Sequence, residues 1–184
     1  ELRKILRIEN LYSLFSNNES KGIILNVFPQ LKYYERLEIF NNLSNKLRCE
    51  YDNYLILALI IMDQSNDYEY FCHKYKVSNN IKNRFKNIAL NFNNIKDKKF
   101  YLDSNIRKFI YLLGRDSTLD LLLFSICANN ERKDFDIEKL ISYVQTCKVP
   151  KFPISGEYLK EHGYKTGEAL GKKLKELEEE WIKN

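Results

Sequence analysis

The chain has no apolar run near the roughly 20 residues needed to cross a bilayer; its longest, Leu55 to Met62, is too short. No basic, apolar and small-residue cleavage pattern opens it, so a cytoplasmic protein without a membrane partner is expected. The four cysteines, Cys49, Cys72, Cys127 and Cys147, are scattered with no CxxC pair. That spacing indicates neither a zinc site nor a disulfide framework and predicts reduced, mostly buried thiols. Only three prolines and six glycines punctuate 184 residues, so few breaks interrupt long regular segments.

Between those breaks, hydrophobic residues make up 44% of the chain and recur at intervals of three and four. The spacing of Leu2, Ile5, Leu6 and Ile8 predicts a helix that Glu1 enters part way, without an initiator methionine. Leu31 to Leu47 reads as one amphipathic helix, Asp52 as the cap of a nearly all-apolar helix to Met62, and Asp67 as the cap of another towards Tyr75. The apolar helix is expected at the centre. Ile81, Phe85, Ile88 and Phe92 form one stripe, and Ile106, Phe109, Ile110 and Leu113 the next. Gly114 is a natural stop before Leu119 to Ile126. A helix from about Phe135 to Val144 follows, then an extended connector, Lys148 to Pro153, because residues before proline avoid helical angles. No strand is predicted. The fold class is all-α, an irregular multi-helix bundle with a small two-helix C-terminal appendage, divided as 1–30, 31–147 and 148–184. Abundant tyrosine and phenylalanine serve either the core or a base-stacking surface.

Charge is uneven. From Lys74 to Arg115, eleven basic residues stand against Asp97 and Asp103, a net +9 in a chain of net +5, which leaves the remainder at −4. Such asymmetry steers towards a polyanion; a solvated lysine-rich face is the plainer reading. Arg107, Lys108 and Arg115 are the best candidates, flanking one helix and its glycine stop while lying off the apolar stripe.

The C-terminal stretch from Phe152, FPISGEYLKEHGYKTGEALGKKLKELEEEW, reads as helix, glycine turn, helix. Ser155 caps the first helix, Gly163 ends it, Thr166 caps the second, and Gly171 inside it marks a close approach to another helix or a phosphate. Lys165, Lys172 and Lys173 surround a turn that includes Gly167, where backbone amides at a helix start suit a phosphate oxygen. Glu176, Glu178, Glu179 and Glu180 make its far end repel RNA.

The order P-x-F-P-I-S-G, E-Y-L, H-G-Y-K-T-G-E-A-L-G and L-K-E-L-E-E-E-W-I resembles the C-terminal tail of bacterial CCA-adding tRNA nucleotidyltransferases and their poly(A) polymerase relatives. Upstream the likeness is fainter. ELRKIL at Glu1 is similar to the end of that family's neck helix, GIILNVFPQL at Gly22 to the segment after it, and KVSNN at Lys76 and LLGRDSTLDLLLF at Leu112 to its body. The resemblance implies an end of neck with opening helices (1–30), a helical body (31–147) and a two-helix tail (148–184). The family's N-terminal head, with its glycine-rich turn, magnesium-holding carboxylate pair and nucleotide-selecting motif, has no counterpart here, so the chain reads as a C-terminal fragment. Magnesium and CTP or ATP are expected only with that head, and the fragment is expected to be no enzyme. The implied partners are tRNA, gripped by its backbone on the elbow and acceptor side, and the protein's own head. The alternative is a helical protein-interaction or dimerisation scaffold with a basic face.

Two look-alike motifs are set aside. Asp134-Phe135-Asp136 spells the family's D-x-D, but it follows a polar run rather than a glycine-rich turn and precedes a helix, so capping is the expected role. Cys72 and His73 are adjacent, and neighbours on a helix point about 100° apart. His162 precedes Gly163 and is assigned to the turn. No constellation of acid, base, nucleophile or metal ligands supports a self-contained enzyme.

Overall fold

The computed structural model describes residues 1–129 and 135–183, and among these every regular element is helical. In order they are α1 (Leu2–Ile5), α2 (Leu11–Ser16), α3 (Asn18–Val27), α4 (Arg36–Asn41), α5 (Asn45–Arg48), α6 (Asn53–Ile61), α7 (Asp67–Lys74), α8 (Asn79–Leu90), two 3₁₀ turns (Asn94–Lys96 and Lys98–Tyr101), α9 (Asp103–Leu113), α10 (Arg115–Ala128), α11 (Ile137–Thr146), α12 (Gly156–Glu161) and α13 (Glu168–Lys183). The chain is an all-α multi-helix bundle. It forms two compact units, 1–147 and 148–184.

Local chemistry sets the ends of the helices. Asn10, Asn17, Ser44 and Asp52 each accept a hydrogen bond from the backbone N–H three residues on, which satisfies a donor that the first turn leaves orphaned. The expected single helix over Leu31–Leu47 is instead α4 and α5: Ser44, in an extended conformation, restarts the helix while the apolar pattern runs on through the turn. Asp67 is the first residue of α7 rather than its cap, a position held by Asn66. The helix expected from Phe135 starts at Ile137, because Asp136 accepts from the Lys139 N–H at 3.0 Å.

In the first unit α6 is buried along its whole apolar run, Leu55 to Ile61. The hub, however, is α10, which packs against α4, α6, α8, α9 and α11. Its sequence hides that role behind buried polar residues, each of them satisfied. The Thr118 hydroxyl donates to the Gly114 carbonyl at 2.8 Å, the Ser125 hydroxyl to the Leu122 carbonyl at 2.7 Å, and Asp120 accepts twice from Arg84. The three largest fully buried side chains are Phe71, Phe85 and Phe124, so much of the aromatic content is core. Arg36 closes the C-terminal end of α6, donating to the carbonyls of Leu59 and Met62 at 2.9 and 2.7 Å while its guanidinium lies 4.3 Å from the Tyr33 ring centre. Among the described residues no cysteine forms a disulfide; Cys72 and Cys127 are buried, and Cys49 is exposed.

The second unit is a helical hairpin. Ser155 caps α12 by accepting from the Tyr158 N–H, and Gly163 ends it at φ +89. The N–H of Gly163 donates to Lys160 and that of Tyr164 to Leu159, the paired bonds of a left-handed helix terminus. Leu159 is buried, and the Phe152 and Trp181 rings pack 5.7 Å apart, joining the connector to the end of α13.

Candidate nucleic-acid interface

Arg107 and Arg115 are drawn together by the C-terminal turn of α11. Arg107 is exposed on α9; its Nε donates to the Tyr143 hydroxyl at 2.5 Å, and its guanidinium carbon lies 5.9 Å from that ring's centre. The bond to Tyr143 raises the arginine's affinity for its proton further. Burial, followed by the hydrogen bond from Cys147 at 3.5 Å, pushes the Tyr143 hydroxyl up, so it stays protonated. Arg115, half-buried at the first position of α10, donates from Nη2 to the carbonyl of Cys147, the capping residue of α11, and its Nε is buried without a hydrogen-bond partner. A cation on a helix's last carbonyls offsets the negative end of its dipole. Arg115 therefore holds α11 in place, whereas Arg107 presents its charge to solvent. Lys108 is half-buried beside it on α9.

The +9 segment is less free than its count suggests, because Arg84 serves the core. It donates to Asp52 at 2.5 and 3.2 Å and to Asp120 at 2.7 Å through both Nε and Nη2. Lys74, Lys76, Lys86, Lys96, Lys98, Lys99 and Arg107 of that segment remain exposed. Lys96 lies 4.6 Å from the Phe92 ring centre and Lys74 5.3 Å from that of Tyr75. Asp52 and Asp120 are the acids that sequence reasoning did not connect to Arg84. The signal available was their position, carboxylates at the border of one apolar run and inside another, which demands a buried cation.

In the second unit, Lys165 is exposed between two glycines of positive φ, Gly163 at +89 and Gly167 at +143. Gly167, not Thr166, immediately precedes α13. Glu168 occupies the first turn of that helix, where its charge offsets the positive end of the dipole and weakens any pull on phosphate. It also pairs with Lys172 at 2.9 Å, and Lys173 pairs with Glu176 at 3.3 Å. Both pairs are solvated, so both lysines stay available to a polyanion at little cost. Gly171 makes no close approach: a Cβ there would meet nothing within 4 Å. Gly156 is the tighter position, facing Leu170 at 3.5 Å. At the C-terminal end of α12, the Tyr158 and His162 rings lie tilted at 31° with centres 4.2 Å apart, and the imidazole Nδ1 lies 2.7 Å from the Tyr158 carbonyl.

Asp136 caps α11, and Asp134 lies outside the described residues. Cys72 is buried, which pushes its thiol up, while His73 is exposed, so the two do not form a nucleophile and base. Among the described residues, no three His, Cys, Asp or Glu side chains are grouped to hold a metal, and no helix is long and apolar enough to cross a membrane. Comparison with protein-family models, curated proteins and solved structures finds no match to the chain.

Proposed function

We propose that the chain is the tRNA-binding body and tail of a tRNA nucleotidyltransferase that adds or repairs the 3′ CCA end, or of a poly(A) polymerase relative, and that it carries no catalytic centre itself. The observation that carries this reading is the ordered motif from Pro150 to Ile182, with its glycine turn and flanking lysines. The net +9 between Lys74 and Arg115, with Arg107 turned to solvent, adds to it. In this role the chain grips the folded part of tRNA by shape and phosphate backbone, which suits an enzyme that must accept tRNAs of many sequences. Magnesium, CTP and ATP belong to the head of the intact protein.

The test is titration of labelled tRNA, and of an unstructured RNA of equal length, at two salt concentrations. Preference for tRNA with a steep loss on adding salt is expected, and Arg107→Glu and Lys165→Glu should each weaken binding several-fold and flatten the salt dependence. Arg115 is a poor choice for charge reversal because it holds the end of α11. Equal, weak binding to both RNAs would leave only nonspecific attraction and sink the reading, as would CTP or ATP incorporation by the pure chain.

A second reading, the interaction or dimerisation scaffold, draws on Leu90 and Leu112, which are 70% and 57% exposed within the basic segment. Indifference to tRNA, together with self-association that Leu90→Asp and Leu112→Asp abolish, would select it.

A further inference from the structure

Away from Arg107 and the glycine turn, a cavity of about 630 Å³ opens between α1, the first turn of α6 and the α7–α8 turn. That volume suits a small ligand. Its inner wall is aromatic: the Tyr75 ring lies 4.7 Å from Phe71 and 5.6 Å from Phe28, and the Tyr75 hydroxyl donates to the Val27 carbonyl at 3.4 Å. Tyr54, half-buried, lines it as well. The rim is cationic. Arg3, Arg7 and Lys76 are all exposed there, and Arg3 lies 5.7 Å from the Tyr54 ring centre. The lining carboxylate, Glu1, pairs in solvent with Lys4 at 2.9 Å, so cations outnumber carboxylates three to one along the rim.

Lys76 carries a further mark. It adopts φ +50, the one non-glycine residue at positive φ among the described residues, immediately after the capping residue of α7. Glycine is the usual occupant of that position, so a lysine there is held against its backbone preference. The next residues, Val77 and Ser78, also line the cavity.

We propose that this cavity takes one unpaired nucleotide of an RNA strand, its base against Tyr54 and Tyr75 and its phosphate between Arg3 and Lys76. The choice of RNA as the source rests on the function proposed above, whereas the pairing of an aromatic wall with a cationic rim does not. Base stacking on aromatics and backbone contact through lysine and arginine are the chemistry of single-strand binding.

The test is fluorescence anisotropy with a labelled six-nucleotide r(A) strand, with AMP and adenosine as competitors. Arg3→Glu and Lys76→Gly should each weaken binding at least fivefold, while Lys139→Glu, an exposed change on α11 outside the cavity lining, leaves it unchanged. Lys76→Gly removes the charge and relieves the positive φ, so it should melt no lower than the parent, and loss of binding cannot then be attributed to unfolding. Ultraviolet cross-linking should place the strand on Tyr54 or Tyr75. Absence of binding, or full affinity in Lys76→Gly and Arg3→Glu, overturns the proposal. AMP competing as well as the hexanucleotide overturns the strand as the source and makes this a free-nucleotide site. The tRNA preference is read separately through Arg107 and Lys165, so either idea can fail alone.

Discussion

Arg84 is the residue at which α6, α8 and α10 meet, because Asp52 caps α6, Asp120 lies on α10 and the guanidinium between them comes from α8. Its hydrogen bonds to Asp120 hold the arginine more firmly protonated. Burial pushes the Asp120 carboxyl up, and the same two bonds pull it back. Replacing Arg84 by methionine leaves Asp120 buried without its cation, and urea denaturation should show a loss of about 3 kcal/mol, the usual scale for breaking one side of a buried pair. A milder effect is expected at Asp63, which accepts from the Tyr33 hydroxyl at 2.6 Å and the Ser65 N–H at 2.7 Å. Burial raises its pKa, but the bonds from Ser65 and Tyr33 outweigh that, and the carboxyl sits below its ordinary value. A depressed carboxyl contributes stability that is complete above its unfolded pKa of about 3.9 and is lost as pH falls through the folded value. Asp52, also depressed, acts the same way, and Asp120, raised, acts in the opposite sense. The measurement is therefore a comparison: between pH 5 and pH 3 the melting temperature should fall less in Asp63→Asn than in the parent.

At the scale of elements, two glycines should respond oppositely to the same substitution. Gly114 joins α9 to α10 at φ +82 and ψ 168, a region open essentially to glycine alone, so Gly114→Ala should cost about 2 kcal/mol although the added carbon meets nothing within 4 Å. Gly171 lies inside α13 with equally open surroundings, so Gly171→Ala should strengthen that helix by up to about 1 kcal/mol. Circular dichroism during denaturation checks both signs. The same contrast shows what was legible in the sequence. Helix ends marked by a residue with a specific job, Asp52, Gly114, Ser155 and Gly163, could be placed from sequence because the cap or the positive φ requires those residue types. The split between α4 and α5 could not, because the partly buried Leu43 and Leu47 carry the apolar spacing of Leu37 and Phe40 on through the turn. Nor could the uses of the cations. Charge counting brought Arg84, Arg107 and Arg115 forward together, yet one is neutralised in the core, one is exposed and one caps α11, and only tertiary packing separates them.

For the whole molecule, the buried hydrophobic cluster is drawn from residues between Leu6 and Val144, and none of the described residues after Cys147 belongs to it. Residues 147–155, where the first unit ends and the second begins, carry no regular element, and Lys148, Val149 and Lys151 are exposed. Cleavage concentrates where exposed backbone is not tied into helices, so limited trypsin treatment should cut after Lys148 or Lys151. The larger product keeps its full core and should retain helical circular dichroism and cooperative unfolding. The smaller one has only Leu159 fully buried among the described residues and relies on contacts such as Phe152 with Trp181, too little apolar burial to offset the entropy of ordering so short a chain. It should therefore lose most of its helix once released. A large fragment that unfolds without cooperativity would show that the first unit depends on the second, and would overturn the picture of a self-sufficient bundle bearing a dependent hairpin.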